Sequence, residues 1–232
     1  MFLDPGHGGV DTGTIGTTLD GAVVMEKTIT LALAQRTAAK LRASAYQVVL
    51  SRTDDGLPGA SPADFAPDGT ELTPDGVLAD LQRRIDRANA SGARVLLSIH
   101  LNGFDDPTAQ GSETFYDSSR PFGAANARLA GLIQSEIVAA FRSQGDDTPD
   151  RGVTDDAELD ADSLGAMEGY NHLVLLGPGS PGRLRPTTMP GALSESLFLS
   201  SPSEASAAAD PATQDLIAGA YARAIARFLS AG

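Results

Sequence analysis

The stretch that most constrains this chain is its opening, Phe2-Leu3-Asp4-Pro5-Gly6-His7-Gly8-Gly9-Val10-Asp11. A short apolar run stops in a glycine-rich turn that presents one histidine. Pro5 and the glycines break the run and permit backbone angles that bulkier residues resist. A buried strand that ends abruptly and offers an imidazole at its C-terminal tip is how open α/β sheets build sites. In isolation a phosphate-cradling loop or a surface histidine reads the same way, so the decision falls to the ligand-type residues further along.

The rest of the chain supplies the sheet that such a turn needs. Asp11 to Val24 reads as a loop, after which Glu26 opens a helical pattern over Thr28 to Ala43. Tyr46 to Ser51 is a short β-branched run, and strand, helix, strand in that order points to a parallel βαβ unit. Thr73-Pro74 is a helix start, with an N-cap followed by a first-turn proline, and the helix runs to about Ser91-Gly92. Val95 to His100 is nearly continuous in apolar residues, the mark of a strand buried on both faces, and it too ends in a histidine. Gly111 to Tyr116 alternates and is expected to be an edge strand, and Ala124 to Phe141 an amphipathic helix. Ser143 to Gly169 is acidic and loop-like. Ala192 to Leu199 reads as a final strand, and Asp210-Pro211 starts the last helix. The expected fold is one α/β domain over residues 1–232, with a central twisted, mostly parallel sheet flanked by helices on both faces. Irregular insertions are expected at about 54–75 and 144–190.

Composition narrows the chemistry. The 232 residues, 41% of them hydrophobic, are enough for a proper core. A formal charge of -13 argues against nucleic acid and against anionic membrane surfaces, and no apolar run is long enough to span a bilayer. Cysteine is absent, which excludes disulfides, thiolate ligands and a thiol nucleophile. Any metal must therefore be held by His, Asp and Glu. No charged or apolar leader stands ahead of the first strand, so the chain is expected to be cytoplasmic or to have lost a leader.

Four groups fall in equivalent places. His7 follows the first strand, His100 ends the third, Glu26 lies at the mouth of the first helix, and Glu195 interrupts the last apolar strand. In a parallel sheet the strand C-termini share one edge with the helix N-termini, so the four are expected to converge. Two imidazoles and one carboxylate with an open fourth position form a catalytic zinc shell. A carboxylate outside that shell then shuttles the proton, and Glu195 is the candidate because a carboxylate buried in a strand is costly without a partner. Each has a plainer reading. Glu26 alone fits a helix-dipole carboxylate, His100 a core histidine, and Glu195 an ion pair with Arg183 or Arg185. Asp4 is read as orienting the turn or a ligand imidazole, with an Asx-turn as the simpler alternative. His172 stands at the start of its apolar run, the wrong end for this site, and is read as structural.

Taken together, LDPGHGG, a glutamate opening the first helix, SIHLNG, and PGALSESLFLS resemble the zinc-dependent N-acetylmuramoyl-L-alanine amidases of the type-3 amidase family. SRTDD, RRIDRANASGA, GSETFY and RGV are similar as well, and the resemblance runs from about Phe2 to Phe228. It departs at Ser194, where the family usually has an apolar residue. The resemblance implies that His7, Glu26 and His100 bind zinc and that Glu195 is catalytic. It also implies cleavage between the muramic acid lactyl group and L-alanine of peptidoglycan or muropeptides, and export to an extracellular or periplasmic location. An acidic domain has little electrostatic pull toward anionic walls, so a separate wall-binding or regulatory module is an expected partner. The rivals are a catalytically silent or autoinhibited wall-binding domain, a zinc hydrolase of another amide, and a nucleotide-binding domain. The silent domain is disfavoured by the presence of all four groups, and the nucleotide-binding domain by the acidic charge and the second histidine.

Overall fold

The computed structural model describes residues 1–159 and 169–230. Among these, six strands form one sheet in the order β4-β1-β5-β8-β6-β7. The strands are β1 (Phe2–Pro5), β4 (Val49–Leu50), β5 (Leu96–Asn102), β6 (Ser112–Tyr116), β7 (Asp150–Asp155) and β8 (Gly191–Phe198). The first four in spatial order run parallel, whereas β6 is antiparallel to β8 and carries β7 parallel to itself. A small hairpin, β2 (Ile15–Thr17) with β3 (Val23–Met25), stands apart.

The sheet is covered on both faces because its central strands are apolar in both directions. Leu3, Leu97, Ile99 and Leu101 pack into one core with helices α1 (Glu26–Ala43), α3 (Gly123–Ser143) and α5 (Pro211–Ser230). Phe2, Leu96, Phe115 and Leu193 form a second cluster with Ala88 of α2 (Pro74–Ala90). Helix α2 starts where the Thr-Pro pair predicts, with the Thr73 hydroxyl accepting the Gly76 N–H at 3.0 Å. Helix α1 carries Glu26 in its first turn and Lys40 and Arg42 in its last, matching its dipole.

Several boundaries differ from the sequence reading, each for a local reason. The strand expected over Tyr46 to Ser51 is only Val49–Leu50, because the Ser44, Ala45 and Tyr46 N–H groups still bond α1 carbonyls. β5 runs two residues beyond His100, so the histidine lies within the strand and projects from its face. Gly111 to Tyr116 is not the edge. β6 lies between β8 and β7, and the edge is β7, in a segment expected to be loop. Its sequence, DRGVTD, has no alternation, and its charged, largely exposed residues suit an edge strand protected from further pairing. The Asp11–Val24 loop contains the β2–β3 hairpin, whose Ile15 and Val23 are exposed and so leave no burial pattern.

Helix α4 (Pro202–Ala209) was also not anticipated. It is held by a polar anchor: Glu204 accepts the Gly111 N–H at 2.8 Å and the Phe198 N–H at 2.6 Å, joining the end of β8 to the approach to β6. Burial outweighs these two donors and pushes the Glu204 carboxyl up to about 7. The Ser194 departure has a physical account too. Ser194 and Ser196 turn toward α5, where the buried Tyr221 hydroxyl lies 3.0 Å from each serine oxygen. The two serines of this apolar strand are thus satisfied by one hydroxyl from α5.

Two predictions follow from these anchors. Tyr221→Phe strips both serines of a partner and should lower the unfolding free energy by about 1–3 kcal/mol in denaturant titration. Glu204 has a folded pKa above its unfolded value of 4.5, so the folded state binds the extra proton. Its contribution is full below pH 4.5 and is lost as pH rises through about 7. Glu204→Gln should therefore show a shallower decline in stability across that window than the parent protein.

Candidate metal and catalytic site

The opening turn is built by backbone geometry that few residues tolerate. His7 has φ +60°, a left-handed conformation uncommon outside glycine, and strain of this kind persists only where surroundings over-determine it. Here two buried guanidinium groups do so. Arg84 of α2 donates to the Pro5 carbonyl at 2.8 Å and the His7 carbonyl at 2.7 Å, and pairs with Asp4 at 2.9 Å and Asp80 at 2.6 Å. Arg52, just after β4, donates to the Pro5 carbonyl at 3.2 Å, the Gly6 carbonyl at 2.8 Å and the Lys27 carbonyl at 2.7 Å. Gly6 is required for a separate reason. A Cβ there would lie 2.2 Å from the His100 ring.

The turn delivers His7 onto Glu26 and His100. His7 Nε2 lies 3.0 Å from Glu26 Oε1, and His100 Nδ1 lies 3.0 Å from the same oxygen. The rings meet edge to face with centroids 4.9 Å apart. Glu26 Oε1 also accepts the Leu101 N–H at 3.0 Å, and Oε2 accepts the Thr14 N–H at 2.9 Å, so the carboxylate is locked in direction. Side-chain exposure is 22% for His7 and 19% for His100 but 4% for Glu26, which places the imidazoles at the mouth and the carboxylate behind them.

The fourth group arrives by strand register. Glu195 is the direct partner of His100 on the neighbouring parallel strand, so both side chains leave the same face of the sheet. Both line one cleft of about 530 Å³ together with His7 and Glu26, and Phe104, Phe115, Leu159, Leu173 and Leu193 supply apolar wall. Glu195 Oε2 is buried and has no hydrogen-bond partner among the described residues. Arg185, the ion pair considered for it, is engaged with Asp86 at 2.6 Å.

The electrostatics of the cluster call for positive charge. Burial opposes protonation of His7, but hydrogen bonds and charge from Asp11 and Glu26 prevail and push it up to about 10. Burial acts to raise Glu26, yet the two histidines hold its carboxyl well below the usual carboxylate range. Burial and the Glu26 carboxylate raise Glu195 well above its ordinary value. The donor set fits a divalent cation: two imidazole nitrogens and one carboxylate oxygen lie within 4.8 Å of one another, in a residue combination suited to zinc.

Sequence reasoning missed three contributors. Asp11 holds His7 Nδ1 at 2.9 and 3.0 Å, the carboxylate–histidine arrangement that orients a ligand ring. Its signal was its place four residues after His7. Asp4 does not contact an imidazole. It binds Arg84 and the Ser98 hydroxyl, and so orients the turn. Arg52 and Arg84 lay within segments quoted for similarity, but nothing local marks an arginine as a clasp for a distant turn. His172 is not part of this cluster. Its Nδ1 faces Asp117 and Asp156 instead.

Comparison with known proteins gives the family. The family model for N-acetylmuramoyl-L-alanine amidase matches residues 1–227. The chain belongs to that family. It is an amide hydrolase with N-acetylmuramoyl-L-alanine amidase activity on peptidoglycan. It is 30% identical over 230 residues to the germination-specific N-acetylmuramoyl-L-alanine amidase of Bacillus subtilis, covering 99% of this chain and 79% of that one. An N-acetylmuramoyl-L-alanine amidase from Clostridium difficile 630 superposes with a TM-score of 0.68 at 30% identity, covering 99% of this chain and 95% of that chain. The CwlD amidase from Clostridioides difficile, solved in complex with the GerS lipoprotein, gives 0.71 at 25% identity and covers 100% and 98% respectively.

Gly6→Ala tests whether the turn is built around the His100 ring. The added methyl must displace that ring, so affinity for a divalent cation at this cluster should fall by about 10–100-fold or more, the scale of losing support around a ligand. Competition titration against a chromophoric chelator measures this, and unchanged affinity would show that His100 is not held where the turn places it.

Proposed function

We propose that this amidase is zinc-dependent, with His7, Glu26 and His100 as ligands and Glu195 as the catalytic acid and base. The observation that carries the reading is the convergence of His7 Nε2 and His100 Nδ1 on Glu26 Oε1, with Glu195 one strand away in register. Zinc held there supplies Lewis acidity, which polarises an amide carbonyl and makes water acidic enough to act as a nucleophile near neutral pH. The bond cleaved is the amide between the lactyl group of N-acetylmuramic acid and L-alanine.

The chain's own groups carry the remaining work. Asp11 holds the His7 ring by Nδ1, leaving Nε2 to face the cleft. Glu26, fixed by two backbone N–H groups, keeps its carboxylate aimed between the imidazoles. Glu195 Oε2, buried and without a hydrogen-bond partner among the described residues, accepts a proton from the attacking water and returns it to the L-alanine nitrogen as the C–N bond breaks. The apolar wall at Phe115, Leu159, Leu173 and Leu193 excludes bulk water and strengthens these electrostatic effects. The same reading places the protein outside the cytoplasm, extracellular or periplasmic, where its substrate lies. Among the described residues no helix is long and apolar enough to cross a membrane. A separate wall-binding or regulatory module is the expected partner. The related CwlD amidase, solved with a lipoprotein, makes a protein regulator a reasonable form for it.

The test is mass spectrometry of muropeptides incubated with zinc-loaded and chelator-stripped protein. Intact stem peptides with a free L-alanine N-terminus should appear only with zinc. Glu195→Ala should retain stoichiometric zinc while turnover drops about 10²–10⁴-fold, the range for removing a general acid–base. Near-normal turnover in that variant would remove Glu195 from the mechanism, and full activity of the stripped protein would remove zinc.

A further inference from the structure

A second convergence of donors lies across the cleft wall from the first. Asp117 follows β6, Asp156 follows β7, and His172 stands in the loop leading toward β8. Asp117 Oδ2 lies 2.9 Å and Asp156 Oδ1 3.1 Å from His172 Nδ1, and the three atoms lie within 4.8 Å of one another. Both aspartates are completely buried. Each spends one oxygen locally: Asp117 Oδ1 accepts the Ser119 N–H at 2.7 Å, and Asp156 Oδ2 accepts the Leu173 N–H at 2.9 Å. Each turns the other oxygen toward the same ring nitrogen.

The ring cannot satisfy both. Nδ1 carries at most one hydrogen, and the hydrogen bond it makes goes to Asp156. Asp117 Oδ2 is left buried with no hydrogen-bond partner among the described residues, although it points into the cluster. The Arg120 guanidinium acts on Asp117 only through space, because its N–H groups donate to the carbonyls of Leu176, Gly177 and Thr187. Two buried carboxylates facing one imidazole leave a buried oxygen without a donor, and such an oxygen is costly.

We propose that Asp117, Asp156 and His172 bind a second divalent cation, separate from the His7 cluster, which clasps the wall of the catalytic cleft. Two carboxylate oxygens and one imidazole nitrogen suit a borderline ion, Zn²⁺ or Mn²⁺, better than Ca²⁺, which needs six to eight oxygen donors. Donors on a four-coordinate zinc at its usual bond lengths stand about 3.3 Å apart. The separations here, 2.9 and 3.1 Å, are close to that value and to the 3.0 Å separations in the His7 cluster. The ion would join the ends of β6 and β7 to the segments carrying Leu159 and Leu173, both of which line the catalytic cleft. Its role is structural. It shapes the wall without touching the reacting amide.

The experiment is elemental analysis of the full chain after dialysis against Zn²⁺ or Mn²⁺ and removal of free metal. The parent protein should hold one ion per cluster, two in all. His172→Ala and Asp117→Asn should each lose one ion, with circular dichroism confirming the fold. The double variant His7→Ala/His100→Ala leaves the second cluster untouched and should retain one ion. Zinc should raise its thermal midpoint, and adding His172→Ala should abolish both the ion and the shift. One ion in the parent protein and none in His7→Ala/His100→Ala would overturn the second site while leaving the catalytic reading intact. One ion in the parent, kept in His7→Ala/His100→Ala but lost in His172→Ala, would support the second site and overturn the first.

Discussion

The cleft depends on two buried guanidinium groups that hold the carbonyls of one strained turn. Where β1 ends, the Pro5, Gly6 and His7 carbonyls leave the sheet ladder and point into protein, where an unpaired carbonyl is costly. Arg52 and Arg84 supply the missing donors from two different elements. Arginine suits this task because its planar fork reaches several acceptors at once and keeps its charge when buried. That charge must be balanced in turn, and Asp4 and Asp80 do so on Arg84 at 2.9 and 2.6 Å. The result is a cradle that holds the backbone of His7 at positive φ, and Asp11 then fixes the ring by Nδ1 so that Nε2 faces Glu26.

The sheet divides labour between its faces by the period of two. Along β5, Leu97, Ile99 and Leu101 face the core shared with α1, α3 and α5, whereas Ser98 and His100 face the opposite side. On that side apolar residues sit at the N-terminal end, with Phe2 and Leu96 packed near Ala88, and polar ones follow toward the C-terminal end. Asp4, Ser98, His100 and Glu195 therefore form a polar patch on that face of the sheet. The apolar half anchors α2, and α2 returns Arg84 to the turn, so packing on one half of this face positions the chemistry on the other.

Most of this frame was legible because burial writes itself into composition. The continuous apolar run before His100, the Thr73-Pro74 start and the long amphipathic helix over Ala124 to Phe141 each follow from a single local rule, and the structure places all three where that rule puts them. The elements that escaped notice obey no such rule. β7 is charged and largely exposed, and the β2–β3 hairpin leaves Ile15 and Val23 in solvent. Helix α4 is held by Glu204 reaching two backbone groups that are distant in sequence or outside its own helix. The same division holds at the cleft. His7, Glu26, His100 and Glu195 could be found because strand ends and helix starts share an edge, whereas Arg52 and Arg84 act on a turn dozens of positions away.

Glu195 illustrates how partners distinguish residues of the same type. Its cross-strand neighbour on β6 is another glutamate, Glu113, and like charges placed directly opposite repel. The two are not equivalent. Glu113 accepts the Thr154 hydroxyl at 2.8 Å and faces the Arg151 guanidinium at 3.6 Å, both from β7. Glu195 Oε2 has neither hydroxyl nor guanidinium, and Glu26 adds a further negative charge nearby. Burial and that neighbouring charge raise the Glu195 carboxyl well above its ordinary value. The edge strand that the sequence reading placed in a loop thus occupies Glu113 with its own hydroxyl and guanidinium, and Glu195 is the glutamate of the pair that lines the cleft.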